Sequence, residues 1–196
     1  MKIQNQGFDH VEFFVHSIAP HAEMYKKMGF EKLASRQLSH CGTRSELYAQ
    51  GYVRILLTEV SDPARAASLP GPQFLKAHGD GIAVLAVDVA DARAAFEETV
   101  GRGARPALEP QVFESPEGRV VRAEIWTPED VRYAFIQRQG LLFDEALPVP
   151  YLESPSPQGI RVIDHLTNNV GMGEMPKWVE WYKKVFDFTV TRHFDI

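Results

Sequence analysis

The chain of 196 residues contains a single cysteine, Cys41, so it cannot form an internal disulfide bond. It also lacks a basic segment followed by an apolar one at its start, and its apolar runs, such as residues 82–87, are far shorter than the ~20 residues of a membrane-spanning helix. There is no surplus of positive charge either, because 21 Lys and Arg stand against 26 Asp and Glu. We therefore expect a cytoplasmic protein that binds neither nucleic acid nor membranes.

Motifs for several other chemistries are missing as well. Cys41 has no partner for a CxxC pair, and the adjacent His40 does not by adjacency make a catalytic dyad. The glycines at positions 101 and 103 follow a predicted helix, whereas a dinucleotide-binding loop follows a strand and opens a helix. Five histidines, at positions 16, 21, 40, 78 and 193, are scattered without ligand spacing such as His-x-x-x-His. The sequence supports neither nucleotide binding nor cysteine catalysis.

The composition that remains, 44% hydrophobic and 24% charged, is that of an ordinary folded domain. Residues 8–15 alternate as a strand does, and Ser17 can cap a helix that Gly29 ends. Three more strands are predicted at residues 30–39, 44–50 and 52–60, with glycines at their turns. Together these elements form a βαβββ unit, which a segment rich in proline and glycine separates from the next one.

The same order of elements recurs from Gly81 onward. An apolar run opens the second unit, and residues 91–100 have helical spacing closed by Gly101. Further strands are predicted near residues 111–113, 119–127 and 132–138, with a hairpin turn at residues 115–118. The fold class predicted from this repetition is α+β, with tandem βαβββ modules.

A third module starts near the end of the chain. Four prolines between residues 148 and 157 indicate an extended linker. Beyond it, strand-like residues 162–170, helical residues 175–186 and strand-like residues 188–196 follow. Asp9-His10-Val11 recurs as Asp164-His165-Leu166, and the Tyr-Lys-Lys at 25–27 recurs at 182–184. We expect a paired domain at residues 1–143, a linker at 144–159 and the start of a further, truncated domain at 160–196.

Two histidines are candidate metal ligands. His165 shares a polar strand face with Thr167 and Asn169, and a neutral imidazole is a good ligand for borderline metals. One histidine is not a site, however, and a hydrogen-bonded structural histidine is the more common case. His10 lies at the matching place in the first module with Glu12 on the same face, where a polar pair at a sheet surface or subunit interface is the simpler interpretation.

Six segments, spread over essentially the whole chain, match the pattern of one protein family. They are Gly7-Phe8-Asp9-His10-Val11-Glu12-Phe13, Met28-Gly29-Phe30, Tyr133-Ala134-Phe135-Ile136-Gln137-Arg138, the proline-rich linker, Val162-Ile163-Asp164-His165-Leu166-Thr167-Asn168-Asn169-Val170 and Phe194-Asp195-Ile196. In these segments the chain resembles the 4-hydroxyphenylpyruvate dioxygenases, which have the vicinal-oxygen-chelate fold.

The resemblance implies an Fe(II) enzyme of tyrosine catabolism. Such enzymes use O2 to convert 4-hydroxyphenylpyruvate, an aromatic 2-oxo acid, to homogentisate and CO2. Their iron is held by two histidines and a glutamate, a facial triad with open positions. The first of these ligands falls on His165, the only ligand that carries over, and the others would lie beyond Ile196. The resemblance also implies a homo-oligomer, and it assigns no catalytic residue and no organic cofactor within this chain.

The first half of the chain does not supply the missing ligands. Where the family's second ligand strand carries histidine this half has Val84, and where the glutamate strand carries glutamate it has Ala134. At most His10 of a triad remains, so we expect a first half without a metal site. Two alternatives stay open: hydroxymandelate synthase, which shares fold, iron and substrate, and a non-catalytic module of the same fold that binds a ligand or forms oligomers.

Overall fold

Ten strands occur in the computed structural model, which describes residues 5–145 and 147–192. They are β1 (Asn5–Val15), β2 (Glu31–Leu38), β3 (Thr43–Gln50), β4 (Val53–Val60), β5 (Gly81–Val89), β6 (Arg105–Ser115), β7 (Gly118–Trp126), β8 (Arg132–Gly140), β9 (Leu142–Asp144) and β10 (Leu147–Pro148). The first eight form one curled mixed sheet in the order β2-β3-β4-β1-β5-β8-β7-β6, and β9 pairs with β10.

The sheet consists of two βαβββ modules joined side by side. In the first, β1 runs parallel to β4, and in the second, β5 runs parallel to β8. The antiparallel pairing of β1 with β5 connects the modules. Each module places one helix after its first strand, α1 (Ile18–Lys27) and α3 (Ala92–Gly101). The predicted α+β class with tandem βαβββ modules is confirmed.

Local sequence explains both helices. Val11 and Val15 of β1 pack with Ile18 and Tyr25 of α1, as the alternation of β1 predicts. Gly29 takes a φ of 87° just after the end of α1, a conformation that glycine adopts without steric cost. At the start of α3, the carboxylate of Asp91 accepts a hydrogen bond from the backbone amide of Ala94, which is ordinary N-capping.

No element was predicted in the segment between the modules, but it contains a short 3-10 helix (Arg65–Ser68) and the helix α2 (Pro70–His78). Pro70 and Pro72 are tolerated because they lie in the first turn of α2, where a backbone amide has no intrahelical partner. Phe74 of α2 then packs edge-on against Phe14 of β1, at 5.8 Å between ring centroids. Strand β6 is also longer than predicted, because irregularities in its pairing with β7 accommodate its prolines.

The end of the chain departs further from expectation. The helix α4 (Met175–Phe186) is confirmed, and it packs Val185 and Phe186 against the second module. The predicted strand at residues 162–170 is wrong, and residues 188–192 form no strand either. A strand needs a hydrogen-bonded neighbour, and none of the described strands offers one here. The rest of that second prediction, residues 193–196, lies outside the described residues.

The β9–β10 hairpin fills the space between the two modules. Phe143, Leu147 and Val149 pack against Leu47 of β3 and Leu56 of β4. Leu142 packs against strands β5, β7 and β8 of the other module. The hairpin therefore closes the inner side of the curled sheet, opposite α1 and α3. No helix in the part of the chain that the structure describes is long and apolar enough to cross a membrane.

Candidate functional site

His165, the predicted metal ligand, lies in an exposed segment without regular secondary structure. Its side chain is 75% exposed, and its Nδ1 is 2.6 Å from an Oδ2 of Asp164. In the first module, Nδ1 of His10 is likewise 2.6 Å from a carboxylate oxygen of Asp9. The repeated Asp-His sequence thus forms the same local pair twice, once exposed and once buried.

A carboxylate on Nδ1 is the usual arrangement around a metal-binding histidine. It fixes the tautomer and the orientation of the ring, and it leaves Nε2 as the nitrogen available to a metal. In the Asp164–His165 pair, Asp164 therefore engages Nδ1 and leaves Nε2 of His165 outside the pair. Thr167 and Asn169, which the sequence placed on the same face, are exposed as well, but without a strand they form no common surface with His165.

Two tyrosines contact residues 166–168, the segment that follows His165. Asn168 hydrogen-bonds the Tyr182 side chain of α4, and the Tyr182 hydroxyl lies 3.4 Å from that of Tyr133 on β8. Leu166, Thr167 and Asn168 line a small cavity of ≈ 140 Å³ with these tyrosines. Burial raises the pKa of both tyrosines, so both remain protonated donors at neutral pH.

The described residues do not by themselves fit an iron centre. Within residues 5–145 and 147–192, no group of three His, Cys, Asp or Glu side chains could hold a metal ion. His165 has only Asp164 beside it, and Asp164 is engaged with Nδ1. A facial triad requires two further ligands. His165 as an iron ligand stays a prediction.

His10 and Glu12 are buried and differently engaged. His10 is 1% exposed, its ring lies 4.9 Å from that of Phe143, and its Nε2 has no hydrogen-bond partner. Glu12 accepts hydrogen bonds from Thr58 at 2.8 Å and from Arg122 at 3.3 Å. The expected polar pair at a surface or interface is therefore wrong, because both residues lie inside the curled sheet. The β9–β10 hairpin that covers them could not be foreseen from the pattern of β1 alone.

An ion-pair cluster centred on Arg122 occupies the inside of the second module. The buried Arg122 guanidinium donates to Glu124 at 2.7 Å, to Asp144 at 2.7 Å and to Glu12 at 3.3 Å. Burial alone would raise the pKa of Glu124, but Arg122 and Arg132 outweigh it and hold that pKa below its usual value. The same balance, with Arg122 and Arg36, lowers the pKa of Asp144. The charges of the arginines and carboxylates in this cluster neutralise one another, so its carboxylates are not free to bind a metal.

Two other histidines share one carboxylate. The Oδ2 of Asp80 lies 2.8 Å from Nε2 of His21, and its Oδ1 accepts from the backbone amide and contacts Nδ1 of His16. Against the opposing effect of burial, these bonds lower the pKa of Asp80 to about 2. No local sequence pattern pairs residues that are 59 and 64 positions apart. The side chain of His16 is 67% exposed.

One cavity was not predicted from the sequence. A cavity of ≈ 530 Å³ lies where β1 begins and β5 ends, and charged side chains of four strands line it. They are Asp9, Arg54, Asp88 and Arg138. The available signal was clearest in β5, whose IAVLAVDV carries a single charged residue, Asp88, in an otherwise apolar run. Such a residue must find a partner or a cavity when its strand is buried.

Comparison with known proteins places this fold in a family. A sequence profile described as "Hydroxyphenylpyruvate dioxygenase, HPPD, N-terminal" matches residues 2–118, which is more than half of the chain. The 4-hydroxyphenylpyruvate dioxygenase of Dictyostelium discoideum is 28% identical over 193 residues, covering 93% of this chain and 52% of the relative. Protein MelA of Shewanella colwelliana is 32% identical, covering 97% of this chain and 51% of MelA. The chain thus spans about half the length of these relatives.

Solved structures support the fold alone, because identity is low. A variant of 4-hydroxymandelate synthase from Streptomyces coelicolor matches with a TM-score of 0.74 at 21% identity, covering 93% of this chain and 53% of the synthase. Methylmalonyl-CoA epimerase from Mycobacterium tuberculosis matches with a TM-score of 0.54 at 23% identity, covering 71% of this chain and 92% of the epimerase. The curled sheet of paired modules is common to these proteins.

Proposed function

Since this chain belongs to the hydroxyphenylpyruvate dioxygenase family, we propose that it is the first half of an Fe(II)-dependent dioxygenase. The whole protein would convert 4-hydroxyphenylpyruvate and O2 to homogentisate and CO2 in tyrosine catabolism. The observation that carries this proposal is the Asp164–His165 pair, whose geometry leaves one imidazole nitrogen for a metal. The residues of this chain supply one ligand at most, so no chemical step is assigned to them.

Each of three segments of the chain has its own role in this proposal. Residues 1–143 would form a half without metal, because Val84 and Ala134 stand buried at the positions of the family's ligands and Glu12 is bound by Arg122. Residues 144–159 would connect the halves, and residues 160–196 would begin the iron-binding domain. Tyr133 of β8 contacts Tyr182 of α4 and lines a cavity with residues 166–168, which favours a supporting role for residues 1–143.

The test is to express the reading frame through its natural stop codon and to reconstitute the protein with Fe(II) without oxygen. O2 uptake with 4-hydroxyphenylpyruvate and formation of homogentisate are then measured together with bound iron. In the active protein, His165→Ala should remove activity and most of the bound iron. His40→Ala is the matched control, because the His40 side chain is also exposed, at 63%.

Each result has a defined meaning. A reading frame that ends at Ile196, or homogentisate formation that survives His165→Ala, would contradict the proposal. Formation of hydroxymandelate would replace it with the synthase alternative. We also propose a homo-oligomer, which sedimentation velocity of the same preparation tests: a single species with the mass of one chain would exclude it.

A non-catalytic binding module is the second candidate. The cavity of ≈ 530 Å³ favours it, since its volume falls in the range of about 300–1,000 Å³ that holds small molecules. Saturable binding of a small molecule without iron, in a protein that shows no oxygenase activity, would establish this alternative.

A further inference from the structure

The cavity at the start of β1 is walled by strands of both modules and by a returning segment of the chain. Strands β1, β4, β5 and β8 contribute its floor, and Leu152, Val162 and Ile163 contribute one side. Two backbone contacts fasten this segment to the turn before β4: the Tyr52 amide donates to the Arg161 carbonyl at 2.8 Å, and Gly51 exchanges hydrogen bonds with Ser154. The walls are thus held in place by main-chain bonds.

One side of the cavity carries a surplus of positive charge. The Arg138 guanidinium donates to the Asp9 carboxylate through Nη2, at 2.8 and 3.0 Å, and through Nε, at 3.2 Å. Arg54 is the second cation on this carboxylate, at 3.4 Å, and it also donates to the Leu152 carbonyl at 2.8 Å. Its Nε is buried without a hydrogen-bond partner. Two guanidinium groups therefore share one carboxylate, so a single negative charge faces two positive charges on this side of the cavity.

A carboxyl group without a cationic partner also lines the cavity. Asp88 on β5 stands opposite Gly7 of β1, and the backbone amide of Val89 donates a hydrogen bond to its carboxylate. Among the described residues, no side chain donates to it, although Arg138 and Arg54 act on it through space. Burial, with a contribution from the Asp9 charge, raises the pKa of Asp88. The group is partly desolvated, and no charged side chain donates a hydrogen bond that would compensate its charge.

The rest of the lining is apolar. Phe8, which is partly buried against the core of the second module, faces the same space as Leu152, Val162 and Ile163. Leu152 is 37% exposed and Val162 63% exposed, so both keep apolar surface uncovered at the mouth. A ligand that buried an apolar group here would gain the free energy of removing this surface from water.

We propose that this cavity binds a free α-amino acid with an apolar side chain. Its carboxylate would pair with the Arg54 guanidinium, its ammonium group with Asp88, and its side chain would cover the apolar wall. The reason is charge balance: two arginines and two aspartates sum to zero, so a zwitterion adds both missing partners without adding net charge. A simple amine or a simple carboxylate would leave one charge of the half-buried cavity uncompensated.

The test is calorimetric titration of the full chain, without metal, with L-phenylalanine and its two truncated analogues. Phenethylamine lacks the carboxylate and 3-phenylpropionate lacks the ammonium group. We expect saturable binding of L-phenylalanine and binding weaker by about tenfold or more for each analogue, the loss expected when a charged hydrogen-bonding group is removed. Equal affinity for either analogue, or no binding of L-phenylalanine at millimolar concentration, would overturn the proposal.

Variants locate the binding in this cavity. Asp88→Asn should weaken L-phenylalanine binding by about tenfold or more. Glu109→Gln is the matched control, since it removes the same charge from an exposed position on β6 and should leave affinity unchanged. Thermal unfolding of each variant verifies that it is folded. L-phenylalanine binding that is unchanged in Asp88→Asn would refute the assignment, and because no metal is used, the result is independent of the oxygenase test.

Discussion

Replacing Arg122 with methionine removes the centre of the buried ion-pair cluster and keeps a side chain of similar length. In the native protein this guanidinium is 8% exposed and bonds Glu12, Glu124 and Asp144. Without it, Glu12 keeps the hydroxyl of Thr58, while Glu124 and Asp144 keep one arginine each. Removing one partner of a buried ion pair costs about 3–5 kcal/mol, because the other partner stays buried without compensation.

The pH dependence of this loss follows from the pKa directions. In the native protein the pKa values of Glu124 and Asp144 are lowered, so these carboxylates stabilise the fold above their unfolded pKa values of about 4 and lose that contribution as the pH falls. Removing Arg122 takes away the largest opposing effect on burial, so we expect both pKa values to rise relative to the native protein and protonation to destabilise the variant less as the pH falls. The loss of stability should therefore be larger at pH 7 than at pH 5.

Urea unfolding at both pH values measures the effect. Arg119→Met is the matched control on the same strand: Arg119 is 39% exposed, and its pair with the exposed Glu114 is worth about 0–1 kcal/mol. We expect Arg122→Met to lose about 3–5 kcal/mol at pH 7 and the control to lose less than about 1. Equal losses in the two variants, or a larger loss for Arg122→Met at pH 5, would refute the reasoning.

Three further substitutions test other parts of the structure. Asp88→Asn should raise the melting temperature at pH 7 but not near pH 3, because a raised pKa destabilises the fold only above the unfolded pKa; calorimetry with a lower melting temperature at pH 7 would contradict this. Phe186→Ala should cost about 3–5 kcal/mol in denaturant unfolding, since Phe186 is 8% exposed in the core of the second module, and a cost below about 1 would mean that α4 does not dock there. Gly51→Ala should destabilise by more than about 1 kcal/mol, because Gly51 has a φ of 57° and a Cβ would lie 2.7 Å from the Ile160 carbonyl oxygen; an unchanged midpoint would refute that close approach.

Local periodicity was sufficient for most of the fold. The alternation of residues 8–15 and the helical spacing of residues 175–186 were read correctly, because each reflects one buried face. The helix α2 was not predicted because proline disfavours a helix interior, although it fits a first helical turn. The strand predicted at residues 162–170 failed for the opposite reason: its alternation is suited to a strand, but strands depend on a neighbour that local sequence does not specify.

Most of the candidate sites are formed by residues that lie far apart in the sequence. The Asp164–His165 pair is local and could be anticipated from the repeat, whereas the burial of His10 depends on Phe143, more than a hundred residues away. The ≈ 530 Å³ cavity likewise joins Asp9, Arg54, Asp88 and Arg138 from four strands. The single charge in the apolar run of β5 marked Asp88 as unusual, but only the sheet order brings the four residues together.

The most direct test is the iron content of the protein expressed through its natural stop codon, measured after anaerobic reconstitution with Fe(II) for the native sequence and for His165→Ala. If His165 is one of three ligands, the native protein should retain one iron per chain and form homogentisate from 4-hydroxyphenylpyruvate. The variant should retain far less iron and form none. Iron retention and homogentisate formation that are equal in the two proteins would contradict the assignment of His165.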